Sequence, residues 1–171
     1  MPMRRKGWGV WIILALLVSL IAGCGDDGGG GAQNRTATVK LGSAGTVQSN
    51  LAGVSMTVAI PPGVSAATDD TGAVLATVVV PSGVTANEAT VPPQLVIYQP
   101  ATATAAGTLT FVLVGNSSAG FGPGEFAQLT LTVSPASDPA PEEFAVTGFS
   151  PVDIGGRMVS GLTPTVSATI R

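Results

Sequence analysis

From Thr36 onward, apolar side chains recur at every second position, the period of a strand with one face turned to a core. Ala37, Val39 and Leu41 alternate with Thr36, Thr38 and Lys40. Val54, Met56, Val58 and Ile60 alternate with Ser55, Thr57 and Ala59. The same rhythm runs through Thr108–Leu113, Phe126–Val133 and Thr165–Ile170. In the Phe126–Val133 segment it places Ala127, Leu129, Leu131 and Val133 inward and Phe126 outward with Gln128, Thr130 and Thr132. Val78–Val80 and Leu95–Tyr98 are continuously apolar, which predicts central strands covered on both faces. Pro and Gly punctuate the intervals, at Pro61-Pro62-Gly63, Pro81-Ser82-Gly83, Pro92-Pro93 and Gly122-Pro123-Gly124. No window carries a helical stripe of useful length, although Asp138–Phe144 has room for one turn. About eight or nine short strands separated by turns predict an all-β, two-layer antiparallel sandwich, with an up-and-down barrel as the alternative. Ile60-Pro61-Pro62-Gly63-Val64-Ser65-Ala66 is echoed by Val80-Pro81-Ser82-Gly83-Val84-Thr85-Ala86. Two copies do not make a solenoid, so both read as strand ends followed by proline-fixed turns.

The N-terminus breaks this rhythm. Arg4, Arg5 and Lys6 precede an uncharged apolar run, Val10–Ala22, which ends at Gly23 and Cys24. A basic segment, an apolar segment and small residues before a cut are the anatomy of a secretory signal. As a helix the uncharged run covers roughly 20 Å, short of a hydrocarbon core of about 30 Å, so an uncleaved anchor fits less well. Arg4-Arg5 lacks the surroundings of a twin-arginine signal, which favours the Sec route.

Cys24 is the only cysteine in the chain. The sequence Leu20-Ile21-Ala22-Gly23-Cys24 resembles the bacterial lipobox. That resemblance covers residues 1 to about 31 and implies alkylation of the Cys24 thiol by diacylglycerol, cleavage before Cys24 and acylation of the new amine. Buried methylenes contribute about 0.8 kcal/mol each, and more than one chain holds firmly. The expected divisions are therefore a signal helix and peptide over 1–23, a lipidated cysteine and Gly-rich tether over 24–35, and a sandwich domain over 36–171. Gly28–Gly31 cannot bury apolar surface and reads as a leash. The expected location is the bacterial cell envelope. Gly25, rather than an acid, follows Cys24, which favours the outer over the inner membrane.

Beyond Cys24 the acids are Asp26, Asp27, Asp69, Asp70, Glu88, Glu125, Asp138, Glu142, Glu143 and Asp153, against Arg35, Lys40, Arg157 and Arg171. This acidic balance argues against a nucleic-acid partner, because nothing neutralises phosphates. Histidine is absent. With Cys24 lipidated, the side chains most used for zinc, copper or haem are missing, so no cofactor or metal is expected. Ser-His-Asp and Cys-His catalysis are impossible. A serine–lysine pair would need Lys40, which reads as a solvent-facing strand residue. Paired carboxylates remain open in composition, among Asp69-Asp70, Glu88, Glu125, Glu142-Glu143 and Asp153. Each lies near turn-forming residues, and Trp8 and Trp11 leave with the signal peptide, so an enzyme is not expected. Asp69-Asp70 and Asp153 could offer oxygen to calcium, but no EF-hand spacing surrounds them.

Four stretches taken in order resemble the cohesin and cellulose-binding sandwich superfamily. They are Leu51–Ile60 with Pro61 and Val64, Gly107–Leu113, Gly122–Val133, and Phe149–Gly156. The chain departs from that family in lacking an aromatic–aspartate pair before the first turn and any dockerin-like calcium repeat. The resemblance implies a nine-stranded jelly roll whose exposed sheet face binds another extracytoplasmic protein. The same superfamily makes a carbohydrate-binding module the alternative, with polysaccharide as the partner. Such modules stack sugar rings on exposed aromatics. Tyr98, in an apolar stretch, reads as core, and Phe121, in a glycine-rich turn, is the best exposed candidate.

Overall fold

The computed structural model describes residues 33–102 and 105–171. The expected signal helix, Cys24 and most of the expected tether lie outside these residues.

Ten strands follow one another: β1 (Arg35–Gly45), β2 (Leu51–Ile60), β3 (Val64–Ser65), β4 (Val79–Pro81), β5 (Ala89–Thr90), β6 (Ile97–Gln99), β7 (Gly107–Gly115), β8 (Gly124–Val133), β9 (Val146–Asp153) and β10 (Leu162–Ile170). They form the two antiparallel sheets of an all-β sandwich. Sheet A runs β10-β1-β8-β3, with β4 also pairing β8, and sheet B runs β5-β7-β2-β9, with β6 also pairing β7. Each sheet thus has three long strands and a fourth position filled by two short pieces. The six long strands alternate between sheets wherever they follow directly, β1 to β2, β7 to β8, β8 to β9 and β9 to β10. That is a winding of the jelly-roll kind.

The period of two becomes burial directly. Ala37, Val39 and Leu41 on β1, Leu109, Phe111 and Leu113 on β7, and Met56, Val58 and Ile60 on β2 are all at most 1% exposed. Burying each large side chain contributes about 1.5–3 kcal/mol. Phe144 enters the core from a 3-10 turn at Pro141–Glu143, where one helical turn was expected.

Two expectations are corrected. The continuously apolar runs are not central strands. Among the described residues β4 pairs only with β8 and β6 only with β7, and Val80 and Ile97 are 44% and 58% exposed. Each strand is only three residues long, β4 ending at Pro81 and β6 just before Pro100. Phe126 is not on the polar face but fully buried. Leu41 faces Ala127 while Gly42 faces Glu125, so Phe126 is the extra residue of a β-bulge. The bulge shifts the phase of β8, turning the Phe126 ring into the core and Glu125 outward.

The echoed segments both end strands, as expected, and both turn at a glycine of positive φ, Gly63 at 78° and Gly83 at 57°. After Gly63 the chain enters β3, and at Gly83 it starts a 3-10 turn, Gly83–Thr85.

Candidate functional site

The phase that buries the core leaves two broad faces of hydroxyl side chains. On sheet A, Thr36 faces Thr132, Thr38 lies between Thr130 and Thr169, and Lys40 lies between Gln128 and Ser167. On sheet B, Ser55 lies between Val112 and Ser150, and Thr57 lies between Thr110 and Gly148. The Thr57 and Thr110 hydroxyls are 3.0 Å apart and share a hydrogen bond. Thr130 and Val114 are exposed, and the remaining outer residues of β7 and β8 are half-buried by their neighbours.

Charge on the sheet A face is concentrated at one node built by the bulge. Glu125, turned outward, accepts from Lys40 Nζ at 3.1 Å and from Ser82 Oγ at 2.8 Å. The Ser82 hydrogen bond, reinforced by the Lys40 ammonium, holds the Glu125 carboxyl below the usual glutamate range. Lys40 is a solvent-facing strand residue, as its sequence setting suggested, with 53% of its side chain exposed.

Beneath this node the bulge carbonyl is satisfied internally. Phe126 O accepts from Ser82 N at 3.1 Å and from the hydroxyl of Thr85, a residue with no exposed surface. Thr85 Oγ1 also lies 3.0 Å from Ser82 O. Gly83 is required here, since a Cβ would stand 2.3 Å from the Glu125 carbonyl oxygen. Ser82, Thr85 and the inward Phe126 were not legible beforehand, because Pro81-Ser82-Gly83-Val84-Thr85 reads only as a turn.

The other carboxylates considered from the sequence are placed apart or used in turns. Asp69 Oδ1 accepts from Thr71 N at 2.8 Å, Thr71 Oγ1 at 2.7 Å and Ala73 N at 3.0 Å. These bonds, the Thr71 hydroxyl first, lower its pKa. Asp153 Oδ1 caps the following turn through Gly155 N at 2.8 Å and Arg157 N at 2.9 Å. Both are Asx turns, in which a short carboxylate ties down the backbone just ahead. Asp70, Glu88, Glu142 and Glu143 are exposed. Among the described residues, no group of three or more His, Cys, Asp or Glu side chains converges as a metal site would require.

The aromatic candidates divide. Tyr98 is half-buried and packs against the core, its hydroxyl donating to Val64 O at 3.4 Å, and burial raises its pKa. Phe121, expected to be exposed, is only 4% exposed. Its backbone exchanges hydrogen bonds with Leu51 at 2.8 and 2.9 Å, which draws the ring into the core at the start of β2. Cys24, the expected lipidation site, is outside the described residues. No protein-family model matches the chain, and neither a curated protein nor a solved structure is similar to it.

Proposed function

We propose that this chain is a lipid-anchored protein of the bacterial cell envelope whose sandwich is a non-catalytic, cohesin-like protein-binding module. Diacylglycerol on Cys24 holds it to the membrane, the outer in preference to the inner, and the glycine leash lets the domain reach a partner. The observation that carries this reading is the sheet A face, where Thr36, Thr38, Thr130, Thr132 and Thr169 lie side by side around one ion pair. Short hydroxyl side chains on paired strands lose little entropy on contact and can donate and accept along a second protein surface. Phe121, the best candidate for an exposed sugar-stacking ring, is buried, which favours the protein-binding reading over the polysaccharide alternative.

Two measurements test the two halves. Intact mass of the membrane-extracted chain is expected to show Cys24 as first residue with fatty acids attached, and Cys24→Ser is expected to release the chain from the membrane. Retention of residues 1–23 on the extracted chain refutes the anchor. Capture from envelope and secreted fractions is expected to recover a discrete protein partner that Thr130→Arg, which blocks the sheet A face, loses. Equal recovery by the variant, or binding to cellulose or chitin instead, refutes the assigned face and partner class.

A further inference from the structure

Beyond partner binding, the edges of the two sheets are treated very unequally. On sheet A one border consists of β3 and β4, two and three residues long and closed by Pro81. On sheet B one border is β5 and β6, equally short. The other border, β9, is covered over its last three residues by the chain returning beside it, since Val152 bridges Met158 and Val159 N donates to Pro151 O at 3.0 Å. β10 is different. It runs nine residues, pairs only with β1 among the described residues, and its sequence Leu-Thr-Pro-Thr-Val-Ser-Ala-Thr-Ile carries no charge. Natural edge strands are ordinarily kept short, charged, interrupted by proline, bulged or covered, and of these devices β10 has only Pro164.

The core-facing side chains of β10 are also incompletely covered. Val166 lies opposite Leu41 and Ala168 opposite Val39, both of which are fully buried, yet no residue of β10 is itself buried. A groove of about 590 Å³ opens beside them, with Pro141, Phe144 and Val146 on one wall and Pro164, Val166 and Ala168 on the other.

The hydrogen-bond phase of the free edge is readable. Arg171 exchanges bonds with Thr36 at 2.8 and 3.0 Å. In an antiparallel ladder, bonded and non-bonded pairs alternate. Thr169, Ser167, Thr165 and Thr163 therefore direct their backbone groups to β1, and Ile170, Ala168, Val166, Pro164 and Leu162 direct theirs outward. Pro164, which has no N–H, falls in the outward phase, where it costs β1 nothing.

We propose that β10 pairs with β10 of a second copy of this chain, antiparallel about a two-fold axis at Val166. The strand is chemically palindromic about that residue. Thr165 meets Ser167, Pro164 meets Ala168, Thr163 meets Thr169 and Leu162 meets Ile170. Val166 lies in the outward phase, so the pivot is a bonded pair in which each copy donates and accepts. Leu162 and Ile170 do the same, and Pro164 accepts from Ala168 of the second copy. No like charges meet along the strands, and the half-exposed Val166, Ala168 and Pro164 side chains gain cover from their symmetry mates. The contact is isologous, and the short opposite border of sheet A stops further growth, so the assembly closes at two.

The test places single cysteines in the full-length chain carrying Cys24→Ser. Bonded cross-strand partners stand about 5.5 Å apart at Cα, within the reach of a disulfide. Val166→Cys is expected to give a covalent dimer on mild oxidation, whereas Ile97→Cys, more exposed but on the short border of sheet B, stays monomeric. Thr165→Cys is expected to link preferentially to Ser167→Cys when the two variants are mixed. Ala168→Pro removes an outward donor without touching the β1 ladder, and is expected to halve the mass in light scattering with an unchanged circular dichroism spectrum. A monomeric mass for the Cys24→Ser chain, failure of Val166→Cys to link, or equal linking by Ile97→Cys overturns the proposal. The cysteine comparison decides the matter even if Ala168→Pro fails to fold.

Discussion

Replacing Thr85 by valine tests whether the bulge in β8 is held by a buried hydroxyl. Thr85 has no exposed surface, and its Oγ1 reaches both Phe126 O and Ser82 O. Valine keeps the volume and removes the donor. Neither carbonyl is orphaned, because Phe126 O retains Ser82 N at 3.1 Å and Ser82 O retains Thr85 N at 3.1 Å. The lost hydrogen bond therefore costs about 1 kcal/mol rather than the larger penalty of a stranded group. A methyl cannot approach a carbonyl oxygen much closer than about 3.3 Å, so it pushes the 3-10 turn off β8 and adds about 1 kcal/mol of overpacking. The expected loss is about 2 kcal/mol, which at a urea m-value near 2 kcal/mol/M lowers the unfolding midpoint by about 1 M. Thr85→Ser keeps the donor and loses one buried methyl, at a cost of about 1 kcal/mol. Urea titration followed by circular dichroism should thus rank wild type above Thr85→Ser above Thr85→Val. A valine variant as stable as wild type, or more stable than the serine variant, would refute the role given to the hydroxyl.

Gly83→Ala is expected to destabilise by about 2 kcal/mol or more, because it combines positive φ with a 2.3 Å approach to Glu125 O, while Gly122→Ala, with nothing within 4 Å, stays within about 0.5 kcal/mol of wild type in the same titration. Ser43 Oγ, buried on β1 without a hydrogen-bond partner, should make Ser43→Ala neutral or stabilising by up to about 1 kcal/mol, and a clear loss in the melting curve would contradict that. Glu125 has a lowered pKa in the folded chain, so its contribution to stability is present above the ordinary glutamate range and lost as pH falls through the lowered value; Glu125→Gln should remove that part of the acid sensitivity in urea midpoints taken between about pH 7 and pH 3.

Strand positions were legible wherever one face is buried and the other wet, because backbone geometry alternates side chains regardless of tertiary context. That holds for Ala37–Leu41, Val54–Ile60 and Leu109–Leu113, whose inward residues form the core. It held for turns too, where Pro61-Pro62-Gly63 and Pro81-Ser82-Gly83 restrict the backbone by themselves. The absence of histidine and the single cysteine likewise limit the available chemistry before any fold is known.

Only the tertiary structure decided which strands are edges, where the phase breaks and which rings are covered. Val78–Val80 reads as central because hydrophobicity reports burial but not the number of neighbours, and β4 has one partner, β8, among the described residues. Phe126 turned inward because β1 and β8 differ by one residue between Leu41 and Gly42, a mismatch that exists only between two strands and in neither alone. Phe121 was drawn under the surface by its backbone bonds to Leu51, seventy positions earlier in the chain. Local pattern specifies what each segment prefers, whereas register, edges and burial belong to pairs of segments and emerge when the sheets close.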